Sequence, residues 1–169
     1  FYQVENRMVS DITHLSDIGG SCLTDNKIDV PHANLDKIDI PISYVPFRNA
    51  NILAIAVSWG EIIHANAIFV GAVEEDSSGY PDCKRVFFDA FEKVIIKGTK
   101  PNTNISIHTP LIHLSKKEII LLGQKLNAPL ELTWSCYKEE NIPCGKCDSC
   151  ALRIRGFAQA KIKDPILTT

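Results

Sequence analysis

One run of residues restricts the folding of this chain more than any other: Cys136-x7-Cys144-x2-Cys147-x2-Cys150. A two-residue turn, favoured here by Pro143 and Gly145, brings both sulfurs of a Cys-x2-Cys step to one side. Cys136 supplies the fourth corner from across a short loop. Thiolates are soft ligands, and four of them close a tetrahedron around Zn2+ at about 2.3 Å, leaving no open position; the metal expected is therefore structural. Iron–sulfur clusters use related spacings, and reactive thiols are a third reading; ligand type and spacing favour zinc. A bound ion would order the chain from Trp134 to Arg155. It would also hold Lys146, Arg153 and Arg155 either as a local positive patch or as solvated charges. Cys22 and Cys83 stand outside the cluster, and Cys83 falls on an apolar helical stripe.

The start has no basic segment followed by an apolar block, so the six cysteines are read as metal or thiol chemistry rather than a disulfide framework. With 169 residues, 45% hydrophobic and 22% charged, the chain suits one domain with a real core, residues 1–169. A net charge of -2 gives no bulk basic surface for nucleic acid. The longest apolar stretch, Ala50 to Ile63, is interrupted by Asn51, Ser58 and Glu61 and is too short for the roughly 20 residues of a membrane span. The expected location is the cytoplasm.

Periodicity supplies the fold class. Phe1 to Val4 reads as the end of a strand. Ser10 and Asp11 cap a short helix carrying Val9, Ile12, Leu15 and Ile18 and closed by Gly19-Gly20. Ser21 to Pro46 is a long polar loop. Asn49 to Ala65 reads as an almost wholly apolar helix, buried on most sides. The run Ala67 to Val73 suits a parallel strand covered on both faces. Between Pro81 and Gly98, the positions Cys83, Val86, Phe87, Ala90, Phe91, Val94 and Ile95 trace one helical face. Ile105 to His108 is a short strand, Ser115 to Glu118 is a capping box, and Asp148 caps a last helix to about Ala160. This alternation predicts an α/β fold with a mainly parallel sheet flanked by helices, and ligands in such sheets sit beyond the carboxyl ends of the strands.

Four blocks then carry a resemblance, in order. They are Tyr44-Val-Pro-Phe-Arg-Asn49; Ser78-Gly-Tyr-Pro-Asp-Cys83; His108-Thr-Pro-Leu111 followed by Lys116; and Thr133-Trp-Ser-Cys-Tyr137 with Pro143 to Phe157. Together they resemble the QueC family of 7-cyano-7-deazaguanine synthases. The resemblance implies an adenine nucleotide alpha hydrolase-like fold of the PP-loop ATP-pyrophosphatase type, with a zinc-binding region over 133–160. It implies a ligase of queuosine and deazapurine biosynthesis that joins ammonia to 7-carboxy-7-deazaguanine. ATP, with Mg2+, adenylates the carboxylate, ammonia displaces AMP, and a second activation removes the amide oxygen. A homodimer is implied as well. The family's S-G-G-x-D-S loop does not occur here, and Gly19-Gly20-Ser21 is a helix stop. The expectation is a chain that lacks the N-terminal strand and phosphate loop and is either inactive by itself or a piece of an active enzyme. Phe47 stands where family members usually have glycine, a residue that allows close approach to a ligand.

Adenylation needs cations for phosphates and a pocket that orients a carboxylate. Arg48 is the expected phosphate or carboxylate partner through bidentate contacts. Asn49 either meets ligand or caps the following helix. Asp76, Ser78, Tyr80 and Asp82 fall where the acidic end of the strand meets a helix N-terminus. There Asp76 or Asp82 can accept from a guanine-like edge, the other capping the helix that starts at Pro81, and Tyr80 can stack on the ring. Cys83, Thr109, Lys116 and His108 lie at the presumed edge, and the five histidines share no metal-ligand spacing. Two other functions compete. A tRNA-thiolating adenylase of the same fold would need a reactive cysteine pair, for which only Cys22 and Cys83 are candidates. A non-catalytic zinc module would leave the other blocks and about 130 preceding residues unexplained.

Overall fold

The computed structural model describes residues 2–36, 39–74 and 79–167. Its elements, in order, are α1 (His14–Ile18), α2 (Arg48–Ile62), β1 (Ala67–Phe69), a 3-10 turn (Pro81–Cys83), α3 (Arg85–Gly98), β2 (Ser106–His108), α4 (Lys116–Lys125), a second 3-10 turn (Leu130–Leu132) and α5 (Asp148–Ala160). β1 and β2 pair in parallel, with Ala67 opposite Ser106, Ile68 opposite Ile107 and Phe69 opposite His108. The alternating pattern thus builds the parallel α/β unit it predicts.

Side chains alternate along a strand, so Ile68, Val70 and Ala72 share a face with Ile105 and Ile107. That face meets Leu53 and Val57 of α2 and Phe88 and Ile95 of α3 in one apolar cluster. The opposite face carries Phe69, 72% exposed, stacked on the His108 ring at 4.9 Å. The expectation of a strand covered on both faces therefore fails at Phe69, because α2 and α3 pack against the same side. For the same reason α2 is buried along one stripe only, Ala50, Leu53, Val57 and Gly60, and Ile52 and Ile62 face out. It ends at Ile62 rather than Ala65, where His64 takes a φ of 56°.

Other boundaries shift for local reasons. Residues 2–4 form no strand, and Tyr2 and Val4 are exposed; Phe1 lies outside the described residues. Asp11 Oδ1 accepts the Thr13 amide at 2.8 Å, so the chain turns there and α1 begins only at His14, with Leu15 its buried residue. The predicted helix after Pro81 breaks at Lys84, which is extended. The buried side of α3 then runs through Phe88 and Ile95, with Phe87 and Phe91 partly covered, while Val86 and Val94 are exposed. Covering Phe88 removes more apolar area than covering a valine, and this decides the rotation of the helix.

The C-terminal half follows its sequence signals closely. Ser115 Oγ accepts the Glu118 amide and Glu118 Oε2 accepts the Ser115 amide, completing the expected capping box of α4. The last helix is capped by Cys147, one residue before Asp148. α5 packs along α4, and Gly156 sits at the closest approach. A Cβ there would stand 2.7 Å from Lys116 Cβ and 3.1 Å from Ile120 Cδ1. Gly156→Ala is expected to destabilise by about 2 kcal/mol through overpacking, measured by urea denaturation. Because the clash falls on Lys116, it also pushes the first turn of α4 away from α5.

Candidate functional site

Cys136, Cys144, Cys147 and Cys150 bring their sulfurs within 4.8 Å of one another. A tetrahedron with metal–sulfur distances of about 2.3 Å has sulfur–sulfur edges of about 3.8 Å. The Cys144 and Cys150 Sγ atoms stand 3.9 Å apart. The loop is wrapped around its own sulfurs. Cys136 Sγ accepts from the amides of Lys138 (3.4 Å), Glu139 (3.3 Å) and Cys144 (3.4 Å). Cys144 Sγ accepts from Lys146 and Cys147, both at 3.4 Å. Gly145 takes a φ of 70°, which a residue without Cβ adopts freely. Burial would push the Cys136 thiol up, but the converging amides of Cys144, Glu139 and Lys138 outweigh it and bring it down to about 6. All four are free thiols. The donor set and spacing fit a metal ion.

Beyond the carboxyl end of β1 lies a cavity of about 550 Å³. Its floor is Val70 to Val73, the extended continuation of the strand. Three helices present their first residues to it: Arg48 and Asn49 of α2, Lys116 of α4 and Ser149 of α5. A helix N-terminus carries partial positive charge and free N–H groups, so three helix starts and the cations Arg48, Lys116 and Arg153 favour an anion here. Tyr80, Cys83 and Tyr137 complete an aromatic, partly apolar side. Ser135 and Tyr137 flank Cys136, and Ser149 precedes Cys150. The cavity wall and the metal loop are therefore the same stretch of chain.

Of the residues singled out in the sequence, Arg48, Asn49 and Tyr80 line this cavity. Asn49 is also clamped. Its amide nitrogen donates to the Asp82 carbonyl at 2.9 Å and to Cys83 Sγ at 3.3 Å. Asp82 differs from its expected role: it is 4% exposed and outside the cavity wall, and its Oδ2 accepts the Asn49 backbone amide at 2.9 Å. A buried carboxylate takes the nearest N–H donors, here the start of α2, and so sets Arg48 and Asn49 rather than a ligand. Asp76 and Ser78 lie outside the described residues. Glu74, at the acidic end of the strand run, accepts the Arg85 amide and so serves the start of α3.

The edge residues divide. Lys116 is in the wall. Thr109 is buried and accepts from Arg85 Nη1 at 2.7 Å, and His108 is stacked on Phe69; neither lines the cavity. The positive patch does not assemble there either, since Arg153 alone of Lys146, Arg153 and Arg155 is in the wall. Burial, then the Asp82 carboxylate, pushes the Cys83 thiol up. Burial, then Asp148, does the same to Cys22. Protonated thiols are poor nucleophiles, which weakens the thiolating alternative. Tyr137 escaped sequence reasoning, although its adjacency to Cys136 was a signal. Burial and a hydrogen bond with Tyr80 push its phenol up, with Arg48 and Ser149 opposing. Tyr80 Oη in turn lies 2.9 Å from Ser43 Oγ, so a row of hydroxyls runs along this side.

Phe47 precedes α2 with φ 57° and ψ 25°, a left-handed conformation. It is exposed, meets Phe87 edge-on at 6.2 Å and lies outside the cavity wall. Glycine suits this position because of backbone conformation, rather than for approach to a ligand. Phe47→Ala keeps the conformational cost and loses the ring contact, worth about 1 kcal/mol. Phe47→Gly removes that cost and is expected to be about 1 kcal/mol more stable than Phe47→Ala. Urea denaturation of the two variants side by side measures the difference.

The family profile described as "Queuosine biosynthesis protein QueC" matches residues 1–161. A protein of Chloroherpeton thalassium named 7-cyano-7-deazaguanine synthase is 58% identical over 166 residues, covering 98% of this chain and 74% of that protein. Proteins of the same name from Chlorobium phaeobacteroides and Chlorobaculum parvum are 56% and 58% identical over 165 residues, covering 98% of this chain and 73% of each.

Proposed function

This chain belongs to the family of the queuosine biosynthesis protein QueC, and on that premise we propose that it is a 7-cyano-7-deazaguanine synthase, a ligase that converts 7-carboxy-7-deazaguanine and ammonia to the nitrile at the expense of ATP. The observation that carries the reading is the cavity at the carboxyl end of β1. It combines three cations, three helix N-termini and an aromatic side in about 550 Å³, the chemistry that a flat, anionic, nucleobase-like acid requires.

In this reading Arg48 and Lys116 hold the substrate carboxylate, and Tyr80 and Tyr137 cover the ring. Asp82 fixes the α2 start, so that the Arg48 charge is in place before substrate arrives. The carboxylate oxygen attacks the α-phosphorus of ATP, with Mg2+ on the phosphates, and pyrophosphate leaves. Ammonia displaces AMP to give the amide, and a second activation carries away the amide oxygen. Val70 to Val73 and the half-buried Tyr137 limit water at the acyl adenylate, which would otherwise hydrolyse. The four-sulfur site takes Zn2+ in this reading, because four sulfurs within 4.8 Å of one another match the edges of a tetrahedron around one ion. The ion's role is to order residues 133–160 with the side chains they bring to the cavity. A cytoplasmic homodimer completes the proposal, on the strength of the resemblance. Among the described residues no helix is long and apolar enough to cross a membrane.

The test is turnover by the purified full-length protein. Nitrile formation followed by mass spectrometry should need ATP, 7-carboxy-7-deazaguanine and ammonia together. ATP consumption stimulated by tRNA in place of the acid would overturn the assignment.

A further inference from the structure

The segment after α5 reverses through a left-handed Lys161 (φ 56°). The Lys161 amide donates to Ala158 O and the Ile162 amide to Phe157 O, a Schellman closure. This turn carries Asp164 back along α5 onto Arg153. Arg153 Nε and Nη2 donate to Asp164 Oδ2 and Oδ1 at 2.6 and 2.7 Å. Nη1 donates to Thr133 Oγ1 at 2.9 Å, and the guanidinium lies 5.0 Å over the Phe157 ring. The two side chains are only 10% and 4% exposed. Arg153, Thr133 and Phe157 all line the cavity; Asp164 does not.

A buried ion pair is a weak source of stability, because desolvating two charges offsets most of their attraction, and an apolar pair of similar volume holds a fold as well or better. A guanidinium kept in a cavity wall by a buried carboxylate is better explained by what it offers the cavity. An arginine carries five N–H donors in a rigid fork; with Nε and one Nη2 N–H on Asp164 and Nη1 on Thr133 Oγ1 and O (2.9 and 3.5 Å), a second Nη2 N–H is left to offer the cavity.

We propose that Asp164 is a positioning residue: it holds Arg153 on the cavity wall so that the guanidinium donates to the bound deazaguanine acid. The proposal rests on the reading of this cavity as the acid site. Asp164→Asn is expected to raise KM for the acid about 10-fold and leave kcat within about threefold, since it loosens a binding donor rather than the reacting groups. Metal content stays unchanged, and Asp164→Glu recovers most of the affinity. A second variant, Arg153→Met with Asp164→Leu, replaces the pair by an apolar one and keeps the packing. Calorimetric titration with 7-carboxy-7-deazaguanine should then show at least about a 10-fold weaker Kd at a Tm close to the parent's. If the apolar pair binds the acid as the parent does, or Asp164→Asn lowers Tm with KM unchanged, Asp164 is structural only and the proposal is wrong. If the parent chain itself does not bind the acid, the cavity assignment falls first and takes this proposal with it.

Discussion

Cys147→Ser empties the metal site and stops turnover, the largest effect expected of any single substitution in this chain. Cys147 is 2% exposed, caps α5 and lies within 4.8 Å of the other three sulfurs. Serine leaves three soft ligands and a hydroxyl, and structural zinc sites of this type contribute on the order of 10 kcal/mol to the fold they order. That equals most of the roughly 5–15 kcal/mol by which a domain is stable. Metal analysis should fall from one ion per chain to near zero, and Tm should drop by more than about 10 °C. Turnover should fall by at least about 100-fold although the ion touches no reacting atom, because misplaced site groups alone cost that much. Ser135, Tyr137 and Ser149 sit beside clustered cysteines and line the cavity, so the wall loosens with the loop. Cys22→Ala, a change outside the four-sulfur set, should keep the metal. Full turnover by a metal-free Cys147→Ser protein would refute the coupling of metal loop and cavity.

Arg48→Ala comes next. Arg48 opens α2 and lines the cavity, where its charge adds to the positive end of the helix. Removing a preorganised cation at the reacting carboxylate should lower kcat/KM by about 100- to 1000-fold, in the range of a lost transition-state donor. Arg48→Lys should recover only part, because a point charge cannot make the two parallel contacts of a guanidinium. Steady-state kinetics measures both. Metal content should remain unchanged, which separates this defect from that of Cys147→Ser. Turnover untouched by Arg48→Ala would remove Arg48 from the site.

How far the site was legible varies residue by residue. The cysteine spacing was readable because ligand geometry is local: a few turns set all four sulfurs. The capping box of α4 was equally local, with Ser115 and Glu118 one helical turn apart. Arg48, Asn49 and Tyr80 were found through motif blocks, and the structure brings them to one cavity. Asp82 carried the right chemistry for a ligand contact but spends its carboxylate on α2, a choice between two acceptor roles that composition leaves open. Tyr137 and the Arg153–Asp164 pair depend on turns far from β1 in sequence, and no periodicity reports such meetings.

The sequence alone determined what local chemistry can: the parallel α/β alternation, the clustering of four cysteines, the cap of α4 and the family. Tertiary structure alone decided which faces are covered. It put α2 and α3 on one side of the sheet, turned α3 to bury Phe88 rather than Val86, and folded the metal loop into a wall for the cavity. Local signals act over one turn or one strand step. Burial is settled by competition among all apolar faces for the same limited interior, and that competition is decided only when the whole chain packs.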